Sequence, residues 1–184
     1  MASRMPKKAS LRMITVIIAI LALVGIALGC NSLSPWGTEA PDFTLPTLTG
    51  ANITLSELEG TPVVLNFWTT TCFYCVQQLP YLESTAQQGA GKIEVVAVNI
   101  GQNASTVQKF LENLLGDYEP MIVALDINGQ VFVNYCQVYG NPGKIPFTFF
   151  IDSEGIVTYV KIGAFRSEAE LWDALNNALG ITIP

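Results

Sequence analysis

The chain has 184 residues, half of them hydrophobic, and a formal net charge of −6, which suits one domain of ordinary size plus a tail. Four of its nine basic residues (Arg4, Lys7, Lys8 and Arg12) crowd the N-terminus, so the remainder sets five bases against all fifteen acids and lacks the basic face that nucleic acid requires. There is no histidine, which excludes Cys–His nucleophile pairs, Ser–His–Asp triads and His-ligated metal sites.

Residues 1–30 read as a targeting segment. A basic stretch ending at Arg12 precedes residues 13–29, which are almost wholly apolar, the pattern of an export signal or a signal anchor. The next basic residue is Lys92, so the orientation rule places the N-terminus inside and the rest outside. Ala27-Leu28-Gly29-Cys30 also resembles a bacterial lipobox, in which the cysteine is lipidated after cleavage. Both readings, uncleaved anchor and Cys30 lipoprotein, tether a globular domain to the outer face of a membrane. Residues 31–40, with Ser, Pro and Gly, form a linker.

Residues 41–184 form the globular domain. Residues 41–45 and 52–55 read as short strands around a turn at Gly50, and residues 56–60 as one helical turn. Residues 62–69 are the first core strand. A helix from Cys72 to about Gln88 follows and stops at Gly89-Ala90-Gly91. Residues 93–100 (IEVVAVNI) are a second buried strand. Val107, Phe110, Leu111, Leu114 and Leu115 recur at helical spacing over residues 105–115, with Ser105 as the expected cap. Residues 121–125 form a short strand, and residues 130–139 a helix despite the β-branched Val131 and Val133. Residues 147–151 and 156–162 form a hairpin around Asp152-Ser153-Glu154-Gly155, and residues 167–179 the last helix, with Leu171, Trp172, Leu175 and Leu179 inward. Strands alternating with helices imply βαβ units and parallel pairing at the centre, to which the hairpin adds antiparallel strands. The expected fold class is α/β, with helices on both faces of a mixed sheet.

The chemistry lies where the first core strand meets its helix. Cys72 and Cys75 form a Cys-x-x-Cys at the helix start. A helix N-terminus carries partial positive charge and unpaired N–H groups, which favour a thiolate over a thiol. A residue three positions on lies about one turn away on the same face, so the two sulfurs can close a disulfide on themselves. This pattern implies thiol–disulfide exchange. One Cys-x-x-Cys with Cys30 and Cys136 scattered elsewhere is not a zinc framework.

Four pieces of sequence resemble the thioredoxin superfamily, and within it the membrane-tethered TlpA/ResA-like thiol–disulfide oxidoreductases. They are Ala40-Pro41-Asp42-Phe43 with Leu45; Val64-Leu65-Asn66-Phe67-Trp68 before the cysteines; Leu79-Pro80 after them; and Ile145-Pro146-Phe147-Thr148-Phe149-Phe150-Ile151-Asp152. The resemblance implies a thioredoxin-like fold with an N-terminal β-hairpin extension. It implies that Cys72 attacks and Cys75 resolves, that Pro80 is the helix-kinking proline, and that Pro146 is a cis-proline facing the disulfide. Ile145 and Pro146 would then bind substrate, with Phe73 and Tyr74 as an apolar docking rim. The implied partners are proteins with cysteine pairs, among them apocytochrome c, and a membrane thiol donor or acceptor that resets the site. The exchange runs on sulfur alone, with no cofactor and no metal.

The sequence departs from that pattern at several positions. Asn66 and Gln78 stand where relatives place a carboxylate, and an amide cannot take a proton as a carboxylate does. Thr71 replaces a usual tryptophan, and Phe73-Tyr74 offers neither proline nor histidine between the cysteines. Cys136 reads as a small buried hydrophobe or as an additional redox thiol. Two other functions fit a related fold. A peroxiredoxin-like peroxidase would place Pro and Thr seven and three residues before its cysteine; Thr69 agrees and Leu65 does not. A module carrying Cu(I) on two thiolates is the other.

Overall fold

The computed structural model describes residues 37–116 and 118–183; Cys30, the apolar stretch 13–29 and Trp36 lie outside them. No helix among the described residues is long and apolar enough to cross a membrane. The first elements are a short antiparallel hairpin, β1 (Thr44–Pro46) and β2 (Asn52–Thr54), in which Leu45 pairs with Ile53 and both turn inward. A 3-10 turn, Leu55–Leu58, carries the chain to β3 (Val63–Trp68), which is buried at all six positions. Continuous apolar runs of this kind belong to strands covered on both faces.

From β3 the chain alternates as expected through α1 (Phe73–Gln88), β4 (Glu94–Ile100), α2 (Ala104–Leu114), β5 (Ile122–Asp126) and α3 (Gln130–Tyr139). The closing elements are β6 (Phe147–Ile151), β7 (Val157–Ile162) and α4 (Glu168–Leu179). The sheet runs β5-β4-β3-β6-β7. β3, β4 and β5 are parallel, while β6 pairs antiparallel with β3 and with β7. The fold is the mixed α/β sheet with a separate two-stranded hairpin that the sequence predicts.

Alternation along β3 divides the core. Val64 and Trp68 face one side, where Leu79 and Leu82 of α1, Val107 and Leu111 of α2, and Leu171 and Leu175 of α4 cover the sheet. Val63, Leu65 and Phe67 face the other, beneath Tyr135 of α3 and the hairpin residues Leu45 and Ile53.

Local departures from the predicted elements are small and explicable. α2 is capped by Asn103 rather than Ser105: the Asn103 Oδ1 accepts from Thr106 N (2.9 Å) and from the Ser105 hydroxyl (2.8 Å). Asparagine caps as well as serine, and it stands where it can reach the third helical N–H. Leu171 and Leu175 are fully buried on the inward face of α4, and Trp172 and Leu179, half-buried, pack against the same cluster. α3 forms despite its β-branched residues because the buried Asp126 Oδ2 accepts from Phe132 N (2.8 Å) and Tyr135 packs against Phe67 and Phe149. Tertiary contacts override weak propensity there.

Candidate active site

β3 delivers the chain to the carboxyl end of the sheet, and three threonines turn it into α1. The turn is held by Cys72 N donating to Thr69 O (3.3 Å) and by the Thr69 and Thr71 hydroxyls, which lie 3.3 Å apart. Cys72 is the N-cap of α1. Its backbone is extended, its Sγ accepts from Cys75 N (3.2 Å) and its carbonyl accepts from Val76 N (3.0 Å). The sulfur thus occupies the place that a serine oxygen takes in an ordinary cap, against the free amides of the first turn.

Cys72 and Cys75 are joined in a disulfide with Cα atoms 5.2 Å apart. Their surroundings differ. Cys75 is 1% exposed and packs with Trp68 and Leu79, whereas Cys72 is half-buried at the rim of that cluster. Of the two, Cys72 is therefore the residue open to solvent. Flanking it, Phe73 and Tyr74 are 68% and 63% exposed, and their rings meet edge to face with centroids 5.4 Å apart. Two aromatic side chains held in water beside a reactive pair form an apolar rim at the mouth.

β6 runs antiparallel to β3 with Phe147 opposite Phe67, so its first residues lie beside the last residues of β3. The Ile145–Pro146 peptide, which is cis, sits immediately before that point. Topology thus brings Pro146 to the end of the sheet that carries the disulfide. Ile145 is half-buried against the same cluster that holds Cys75 and borders Cys72. Pro80 lies within α1, as expected.

Between β3, β6 and α1 runs a buried polar layer. Asn66 (1% exposed) donates through Nδ2 to Thr148 Oγ1 (2.8 Å), its register partner on β6. Gln78 (0% exposed) donates through Nε2 to the same hydroxyl oxygen (3.3 Å), and its Oε1 accepts from Phe165 N (2.9 Å). Both amides are committed to structure, and neither position offers a proton acceptor of carboxylate strength. Thr148, the meeting point, belongs to the piece at residues 145–152 that carries the resemblance, where it is one hydroxyl inside the apolar run Phe147–Ile151.

Cys136 does not join this site. It is half-buried on α3 and packs on the face of the sheet opposite Cys75. Burial pushes its thiol above the ordinary value, partly opposed by a hydrogen bond from the Gly143 backbone.

A family model described as Redoxin matches residues 35–176. The thiol-disulfide oxidoreductase ResA of Geobacillus kaustophilus is 33% identical over 162 residues, covering 83% of this chain and 87% of that protein. ResA of Bacillus subtilis is 34% identical over 149 residues, covering 80% and 78%. Among solved structures, a candidate thiol:disulfide interchange protein DsbE from Chlorobium tepidum is similar at a TM-score of 0.66 and 33% identity, covering 79% of this chain and 98% of that one. The exposed lipoprotein thioredoxin of Streptococcus pneumoniae is similar at 0.61 and 25%, covering 74% and 99%.

Proposed function

The chain belongs to the redoxin family as a ResA-like thiol–disulfide oxidoreductase of the thioredoxin superfamily, and on that basis we propose that Cys72 and Cys75 reduce disulfides of exported proteins at the outer face of a membrane. Apocytochrome c before haem attachment is the substrate we favour. The observation that carries this reading is the unequal pair: a half-buried Cys72 whose sulfur sits on the first-turn amide of α1, tied to a buried Cys75.

In the reaction, the Cys72 thiolate attacks one sulfur of a substrate disulfide. A mixed disulfide forms and the first substrate sulfur leaves as a thiolate. Cys75 then attacks the Cys72 sulfur, the second substrate sulfur departs, and the Cys72–Cys75 bond closes. Two electrons pass to the substrate, and a membrane thiol donor must return them. With amides at 66 and 78, the Cys75 proton leaves with the departing substrate sulfur or through water. Phe73 and Tyr74 receive the apolar residues that flank the substrate cysteine, while Ile145 and Pro146 line the opposite side of the mouth.

The outer-face assignment draws on the basic and apolar N-terminal segment, with Cys30 as lipid acceptor or as the end of an anchor. The name of the pneumococcal structure, an exposed lipoprotein, supports it.

Trapping tests the proposal. Cys75→Ala cannot resolve the mixed disulfide, so in membranes it should accumulate disulfide-linked partners through Cys72 that reductant releases. Their absence, with Cys72 shown to be reduced and accessible, would overturn the reductase reading.

A further inference from the structure

We propose that Gln102 is a positioning residue for this exchange: it clamps the loop that presents Cys72. The inference rests on the reading of Cys72 as the attacking sulfur. Thr70 lies two residues before it, in the turn between β3 and α1. The Thr70 backbone N–H donates to Gln102 Oε1 (2.9 Å), and the Thr70 hydroxyl accepts from Gln102 Nε2 (2.7 Å). One amide therefore grips both the main chain and the side chain of a single loop residue. Asn99, fully buried near the carboxyl end of β4, donates through Nδ2 to the same Gln102 Oε1 (2.9 Å).

One group sets the direction of all three bonds. A backbone N–H can only donate, so Gln102 must turn its oxygen to Thr70 N and its nitrogen to Thr70 Oγ1. Asn99 must then turn its nitrogen to the Gln102 oxygen, and its own Oδ1 is left buried without a partner among the described residues. Leaving such an acceptor unpaired is costly. An apolar side chain, like those of the neighbouring Ala97 and Val98, would avoid that penalty. What the asparagine supplies is a second donor that fixes Gln102.

The remaining bonds of the loop, from Cys72 N to Thr69 O and between the Thr69 and Thr71 hydroxyls, close the turn on itself. The Gln102 bonds fasten the turn to the end of the neighbouring strand. That matters because a thiolate at Cys72 depends on the Cys75 N–H and on the amino end of α1, and both contributions fall steeply with displacement. A loop freed from Gln102 carries the sulfur away from them. The thiolate is then less favoured, and attack at neutral pH slows.

The test uses the full chain in detergent, reduced, with the rate of Cys72 alkylation by iodoacetamide followed against pH by peptide mass spectrometry. Gln102→Ala should raise the midpoint of that profile and slow alkylation at neutral pH by about fivefold. Thr70→Ser, which keeps both bonds, should match the parent. Thr70→Val should fall between, and adding it to Gln102→Ala should change little further. An unchanged midpoint in Gln102→Ala, whatever happens to its melting temperature, overturns the proposal, as does a Thr70→Ser profile shifted as far as that of Gln102→Ala. Should Gln102→Ala fail to fold, Asn99→Leu and Thr70→Val decide the matter by the same midpoint: raised in both supports the clamp, unchanged in both overturns it. Failure of Cys75→Ala to trap partners would instead undo the reductase reading, while the alkylation profile still decides the clamp.

Discussion

On the mechanism proposed above Cys75 must lose a proton before it can displace a substrate, yet it is sealed from solvent, and Gln78, about one helical turn further along α1, is a buried amide. Gln78→Glu would supply a base there. Burial raises such a carboxyl above its ordinary range, bringing it toward the pH at which a general base works best. Release of a model thiol from a mixed disulfide at Cys72 should then quicken several-fold at neutral pH and acquire a new pH dependence. Stability should fall by about 1–3 kcal/mol, because a charge or an extra proton enters a site built for an amide. Stopped-flow release and urea melts check both. At this scale much is legible in the sequence: Cys72, Cys75, Pro146, Asn66 and Gln78 stand out by motif alone. Gln102 does not, and Thr148 does so only as part of the piece at residues 145–152, because a hydroxyl in a strand and an amide in a loop do not reveal their partners until folding places them opposite each other.

At the level of elements, the amino end of α4 concentrates several weak effects. Ser167 Oγ accepts from Glu170 N (3.2 Å), and Glu170 in turn accepts from Arg166 N (2.7 Å) and pairs with Lys161 Nζ (2.6 Å). The Lys161 hydrogen bond, helped by the Arg166 N–H, holds the Glu170 carboxyl below its ordinary range. A depressed carboxyl stabilises the fold fully above its unfolded value, and the contribution drains away as pH falls through the lowered folded value. The side chain is 37% exposed, so the amount is about 0.5 kcal/mol. Ser167→Ala should cost about 1 kcal/mol at every pH. Glu170→Gln should be destabilising at neutral pH and nearly silent in acid, as urea melts across the acid range will register. Another element end is set by close approach: a Cβ on Gly89 would lie 2.4 Å from Ile93 Cγ2 and 2.7 Å from Thr85 O. That contact is why α1 stops at a glycine before the chain returns to the sheet. The sequence marks the stop, but only the packing of the β4 approach against the helix end explains it.

At the scale of the whole molecule, a side-chain hydrogen bond ties α3 to the entry of the domain: Tyr135 donates its hydroxyl to the Pro41 carbonyl (2.8 Å). It joins the face covered by α3 to the segment leading into the hairpin. Burial, reinforced by Tyr139 and Asp42, raises the Tyr135 phenol well above its ordinary value. The proton is thus retained in the folded state. The associated stability is complete below the unfolded value near 10 and is lost as pH rises through the higher folded value. Tyr135→Phe should cost about 1 kcal/mol at neutral pH and flatten the alkaline decline. Urea melts at neutral and strongly alkaline pH will show whether the two curves converge.

Periodicity, turn residues and one cysteine pair are enough, on the sequence alone, to determine the order of strands and helices, the mixed sheet and the kind of chemistry. These are local signals, encoded in neighbours along the chain. The tertiary structure decided what depends on residues far apart: that Cys136 lies across the sheet from Cys75, that Asn66 and Gln78 meet at Thr148, and that Gln102 reaches back to Thr70. Such contacts arise when β4 and β6 flank β3. Their partners are separated by tens of residues, and no spacing rule encodes which polar side chains will face each other once the apolar ones are buried.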